Sequence, residues 1–186
     1  MTGFEFVFSL FALLLGLSVA EVLGGFARAV QKRRKIRIGW LAPLLGLVVV
    51  LDVSSYWLVA WAIRDVIPID YFPMMCGIVI CGLYYLVASL VFPHDLDEWP
   101  ELDAYYFEHK WQVVYGVLGC NALALGAVMT LGLNPLASLH SQIAVALFLA
   151  SAIALVRVAD KRWNIALLVF MALQYPVSSA LRMVGA

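Results

Sequence analysis

A chain of 186 residues that is 65% hydrophobic and 13% charged, with a mean hydropathy of +0.96, has more apolar surface than a water-soluble domain of its size can bury. Soluble domains run nearer ~45–50% apolar, and small ones hide only part of their surface. The formal net charge is zero and no basic stripe interleaves with aromatics, which argues against nucleic acid as a partner and for an all-α integral membrane protein whose first partner is the lipid bilayer.

A spanning helix needs about 20 mostly apolar residues. Six stretches qualify in chain order, at 4–28, 39–63, 71–92, 112–132, 138–158 and 163–184. They predict one transmembrane domain over 1–186, a six-helix bundle with short loops. Pro68, Pro73, Pro93, Pro100 and Pro135 punctuate the spans, where a missing N–H costs little. Pro43 lies in the first turns of the second span. Pro176 falls inside the sixth and predicts a kink.

The first span begins Met1-Thr2-Gly3-Phe4-Glu5, without the positive start of a signal peptide, and its basic residues follow the apolar run. These are Arg28, Lys32, Arg33, Arg34, Lys35 and Arg37. With that loop in the cytoplasm, Lys110, Arg157, Lys161 and Arg162 fall on the same side, and only Arg64 and Arg182 fall outside. This positive-inside bias places both termini on the outer, periplasmic side of a bacterial inner membrane. Trp40, Trp111 and Trp163 each follow a cytoplasmic cation and read as interfacial anchors, with Trp57, Trp61, Tyr71 and Phe72 as the outer belt.

The sizeable loop, His94 to Lys110, carries Asp95, Asp97, Glu98, Glu101, Asp103 and Glu108. Pro100, the early acids and the late His109 and Lys110 predict a cytoplasmic interfacial helix over about 100–110. Leu102, Tyr105, Tyr106 and His109 give it an amphipathic face, lying on the membrane or extending the fourth span inward. The two halves of the chain run in opposite directions, as in transporter inverted repeats, but no sequence similarity links them.

Ionisable groups at membrane depth are costly and are candidates for function. Asp52 lies near the middle of the second span, with Ser55 and Tyr56 a turn on, and Asn121 and Gln174 at about the same depth. These five predict a buried polar network, either a clamp that fixes helix register or a cation or proton site. Glu21 shares a face with Ser18, Gly25 and Arg28. It is expected either to pair with Arg28 or Arg157 and lock the bundle, or to handle ions. Its depth differs from that of Asp52 by ~10 Å, which separates the two carboxylates.

No metal site and no cofactor are expected. Cys76, Cys81 and Cys120 sit in apolar runs without paired spacing and read as packing residues. His94, His109 and His140 match no ligand spacing. A metal held by His94, His109, Asp95, Asp97 and Glu108 is weighed against a solvated acidic loop, and His140 reads as an interfacial side chain. Ala122 with Gly126, and Ala146-Ala150-Ala154, are small-residue rows that mark close helix contact within the bundle or between protomers.

No nucleophile motif or phosphate loop is present in the sequence, so catalysis is not the favoured reading. The favoured reading is an interaction, accessory or oligomeric structural component of the membrane, as a homo-oligomer or within a larger complex. A small transporter or proton channel built around Asp52 is the alternative, followed by a membrane enzyme acting on lipid or quinone.

Overall fold

A computed structural model describes residues 3–68 and 70–184, with side chains over 8–68 and 70–180. Met1, Thr2 and the Glu5 and Arg182 side chains lie outside the described residues. Six helices follow in chain order: α1 (Gly3–Gln31), α2 (Leu41–Ala62), α3 (Tyr71–Ser89), α4 (Leu102–Thr130), α5 (Leu139–Arg157) and α6 (Lys161–Val184). Each contains a segment long and apolar enough to cross a membrane. No strand occurs among the described residues.

The helices stop where their chemistry requires. Ser138 and Asp70 cap α5 and α3 through side-chain oxygens on Ser141 N (3.1 Å) and Tyr71 N (2.7 Å), which satisfies donors left free at a helix start. At 29 residues, α1 and α4 are each about 43 Å long and outrun the ~30 Å hydrocarbon core. The segment from Leu102 to Lys110 is not a separate interfacial helix: it is the first two turns of α4, because nothing after Pro100 interrupts the helix. Helix α6 continues through Pro176.

Among the described residues, α2 packs on α1, α3, α4 and α6, while α5 packs on α4 and α6 alone. The buried residues of α2 are Leu41, Ala42, Leu45, Gly46, Val48, Val49, Asp52 and Val53, the spacing of a helix with one inward face. Helix α5 buries only Ser151, Ala152 and Leu155 among its described residues. Close approach of α1 to its neighbours depends on glycine. A Cβ on Gly77 would overlap the Phe11 ring, and one on Gly25 would lie 2.7 Å from the Phe92 ring.

The connections 32–40, 90–101 and 158–160 gather at one end of the bundle, here called the basic end; 63–70 and 131–138 lie at the far end. At the basic end two connections join directly. Arg37 N donates to Pro100 O (3.0 Å) and Leu102 N donates to Arg37 O (2.9 Å), a single parallel bridge between Arg37 and Glu101.

Candidate functional site

Asp52 sits on the inward face of α2 and is 2% exposed. Its carboxylate is met by one side chain from each of three other helices. Tyr84 of α3 donates its hydroxyl to Oδ2 (2.9 Å), and Tyr175 of α6 donates to Oδ1 (2.8 Å). Asn121 of α4 approaches both oxygens through Nδ2, at 3.1 and 2.9 Å. The same amide nitrogen donates to Val117 O (3.0 Å) on its own helix. Of the amide's two hydrogens one goes to Val117 O, so three donors, two phenols and one amide N–H shared between the oxygens, meet a carboxylate that offers about four acceptor positions.

Asn121 therefore joins Asp52, and the other expected partners do not. Ser55 donates to the backbone carbonyl of Asp52 (2.9 Å), a local turn of α2. The ring of Tyr56 packs on that of Tyr84 with centroids 5.6 Å apart and makes no hydrogen bond to the carboxylate among the described residues. Gln174 points elsewhere, with its Nε2 buried and unpartnered. Its place is taken by the next residue, about 100° round the helix. Leu168, Met171 and Tyr175 continue one inward seam of α6, the first two fully buried.

Side-chain direction explains why matching depth finds Asn121 but points to Gln174 and Tyr56 where the structure has Tyr175 and Tyr84. A helical side chain leans toward the N-terminus of its helix. Tyr84 starts roughly 9 Å nearer the basic end than Asp52, and since α3 begins at the far end, its phenol leans back toward Asp52. Tyr175 starts roughly 4 Å farther from the basic end and leans down from α6, which begins there. The inward phases of α3 and α6 were the available signal.

The basic-end side of this knot is apolar. A small pocket there is lined by Val48, Val49, Val117 and Met171, one turn from the polar residues, and by Ala152 and Leu155 of α5. Beyond it lies a second polar cluster that sequence reasoning missed. Lys110 is 6% exposed, and its ammonium donates to Leu155 O (2.7 Å), Val158 O (2.5 Å) and Asn164 Oδ1 (3.0 Å). Tyr106 also donates to Asn164 Oδ1 (2.8 Å), while Asn164 Nδ2 donates to Val158 O and Asp160 O. Lys110 falls three residues before Val113 and four after Tyr106, both buried, so helical phase marked it as inward.

Asp103, also buried, links three helix starts. It accepts from Leu41 N (3.2 Å), where α2 has no side-chain cap of its own, and pairs with Lys161 at 2.5 Å. Gly39, at φ +64°, leaves no room for a Cβ beside that carboxylate. The acidic loop also engages the basic one, through Lys32 and Asp97 at 2.7 Å. The Lys32 ammonium holds the Asp97 carboxyl below the usual aspartate value.

Glu21 pairs with Arg28 at 3.2 Å. Arg157 takes no part, because it ends α5, which shares no contact with α1. The His94–Lys110 acids do not converge with the histidines. His109 stacks on Tyr105 (centroids 4.2 Å), Asp95 accepts from Asp97 N, and no group of three or more metal-ligating side chains forms among the described residues. His140 keeps Nε2 buried and unpartnered. Cys81 and Cys120 are buried and Cys76 is partly so. Ala122, Gly126, Ala146 and Ala150 are exposed on the outer surfaces of α4 and α5.

No protein-family model matches the chain, and neither a curated protein nor a solved structure does.

Proposed function

We propose that this protein is a non-catalytic interaction or oligomeric structural component of a membrane assembly. The observation that carries the reading is the closure of the Asp52 site. Tyr84, Asn121 and Tyr175 occupy both carboxylate oxygens, and the adjoining pocket is walled by apolar side chains. A transporter built on Asp52 needs a wet path to that carboxylate, and a lipid or quinone enzyme needs reactive groups open to substrate. A clamp needs only that each carboxylate oxygen has a donor from a neighbouring helix. Small residues facing outward on α4 and α5 suit close approach by another helix, from a second copy or a partner protein.

In this reading the basic end faces the cytoplasm of a bacterial inner membrane and both termini face the periplasm, because lysine and arginine crowd that end. Cysteines placed at residues 35 and 98 are then labelled by an impermeant thiol reagent only after cell lysis, and those at 68 and 136 in intact cells.

The deciding experiment is mild solubilisation of native membranes, with the mass of the particle containing this chain measured, alongside proton and cation uptake into liposomes holding the purified protein. A particle heavier than one chain, with no uptake, supports the proposal. Uptake that disappears in Asp52→Asn overturns it in favour of transport.

A further inference from the structure

The basic residues of the basic end divide into two sets. Arg28, Lys32 and Lys161 are paired with Glu21, Asp97 and Asp103, and Lys110 is held on helix-end carbonyls. Arg33, Arg34, Lys35, Arg37, Arg157 and Arg162 are all exposed, and none forms an ion pair among the described residues. The paired set already joins the connections, and the second set adds no ion pair to it, Lys35 acting on Asp97 only at longer range. Three of its members are consecutive, directly beyond the last turn of α1.

Their level relative to the bilayer is marked by exposed tryptophans. Trp40, 69% exposed, begins α2 three residues after Arg37, and Trp163, 67% exposed, follows Arg162. Indole rings in that setting rest among lipid headgroups. Asp103 contacts both Leu41 N and Lys161, so the two groups of free cations flank one carboxylate that is itself occupied. Clusters of free lysine and arginine next to a spanning helix attract anionic lipid within about a Debye length.

We infer that Arg33, Arg34, Lys35 and Arg37, with Arg157 and Arg162 beside them, form a docking surface for anionic phospholipid headgroups of the leaflet at the basic end. Guanidinium groups suit this role because their planar donors take phosphate oxygens in pairs. A lipid is favoured over an acidic protein because the exposed indoles beside these cations, Trp40 and Trp163, belong at headgroup level, where lipid phosphate is within reach.

The test uses the full chain purified in an uncharged detergent and titrated with dioleoylphosphatidylglycerol or with dioleoylphosphatidylcholine, with the thermal midpoint and the number of bound lipids measured. Phosphatidylglycerol is expected to raise the midpoint saturably and to lose this effect in high salt, while phosphatidylcholine leaves it unchanged. The variant R33Q/R34Q/K35Q should need about a hundredfold more phosphatidylglycerol for the same rise, with a nearly unchanged midpoint when no lipid is added, since these side chains form no ion pair among the described residues and Lys35 acts on the exposed Asp97 only at longer range. R157Q/R162Q should show a smaller shift in the same direction. Equal responses to both lipids, or an unaltered titration in the triple variant, overturn the inference. So does protection by soluble glycerol phosphate or by polyglutamate equal to that from phosphatidylglycerol, the first indicating a free phosphate site and the second an acidic protein.

Discussion

Asp52 and Lys110 are both buried charges of one bundle, and they are accommodated in different ways. The carboxylate of Asp52 is surrounded by side chains, two phenols and an amide, contributed by α3, α4 and α6. The ammonium of Lys110 rests mainly on backbone, the carbonyls of Leu155 and Val158 at the end of α5. Helix-end carbonyls lack intrahelical partners and favour any cation that reaches them. The Lys110 cluster therefore constrains where α5 ends, while the Asp52 knot constrains which side chains must meet in the interior of the bundle. The first is expected to accept another cation, the second only its own members.

Replacing Asp52 by leucine is the most severe way to break this comparison. It strands the Tyr84 and Tyr175 hydroxyls and one Asn121 amide, at about 1–3 kcal/mol for each group left unpartnered. Asp52→Asn keeps an acceptor oxygen at the same place and should lose far less. Thermal unfolding in detergent measures both, and a leucine variant as stable as the asparagine variant would show that the knot does not hold the helices.

Lys110→Met should cost less, about 1–3 kcal/mol, because Val158 O keeps Asn164 Nδ2 as a donor at 2.9 Å and Leu155 O is the group chiefly stranded. Lys110→Arg should recover part of the loss, whereas Tyr84→Phe should not be recovered by any cation nearby. Full rescue by arginine sharpens the distinction between a backbone cap and a side-chain knot; failure of the rescue weakens it.

Gly39→Ala tests the Asp103 junction, which mixes the two modes by accepting from backbone Leu41 N and from Lys161. The positive φ of +64° alone costs roughly 1–2 kcal/mol for a residue with a Cβ, and the added methyl must also displace the carboxylate. The expected result is a lower midpoint together with faster proteolysis of the 32–40 connection.

The smallest effect belongs to the exposed pair Lys32–Asp97, where solvent screens both charges. Its contribution is present above the ordinary aspartate pKa of about 3.9 and is lost as pH falls through the lower value Asp97 has in the folded protein. Asp97→Asn should flatten that part of the acid dependence of the thermal midpoint and leave behaviour at neutral pH almost unchanged. A large loss at neutral pH would place this pair with the buried charges.

The sequence by itself determined the six spans, because apolar runs near 20 residues interrupted by proline and charge have no other stable arrangement in lipid. It also singled out Asp52 and Asn121, since polar side chains inside such runs need partners. Hydropathy left the internal boundary of α4 open, because the turns from Leu102 to Lys110 are amphipathic and helical whether they lie along the membrane or extend a span. Only the tertiary structure decided that Tyr84 and Tyr175 replace Tyr56 and Gln174, since the direction of a side chain and the rotation of each helix are set by packing against neighbours. The same holds for Lys110 and Asp103. In the sequence they are charges of one short amphipathic helix, and they become structural once the starts of α2 and α6 meet Asp103 and the end of α5 meets Lys110.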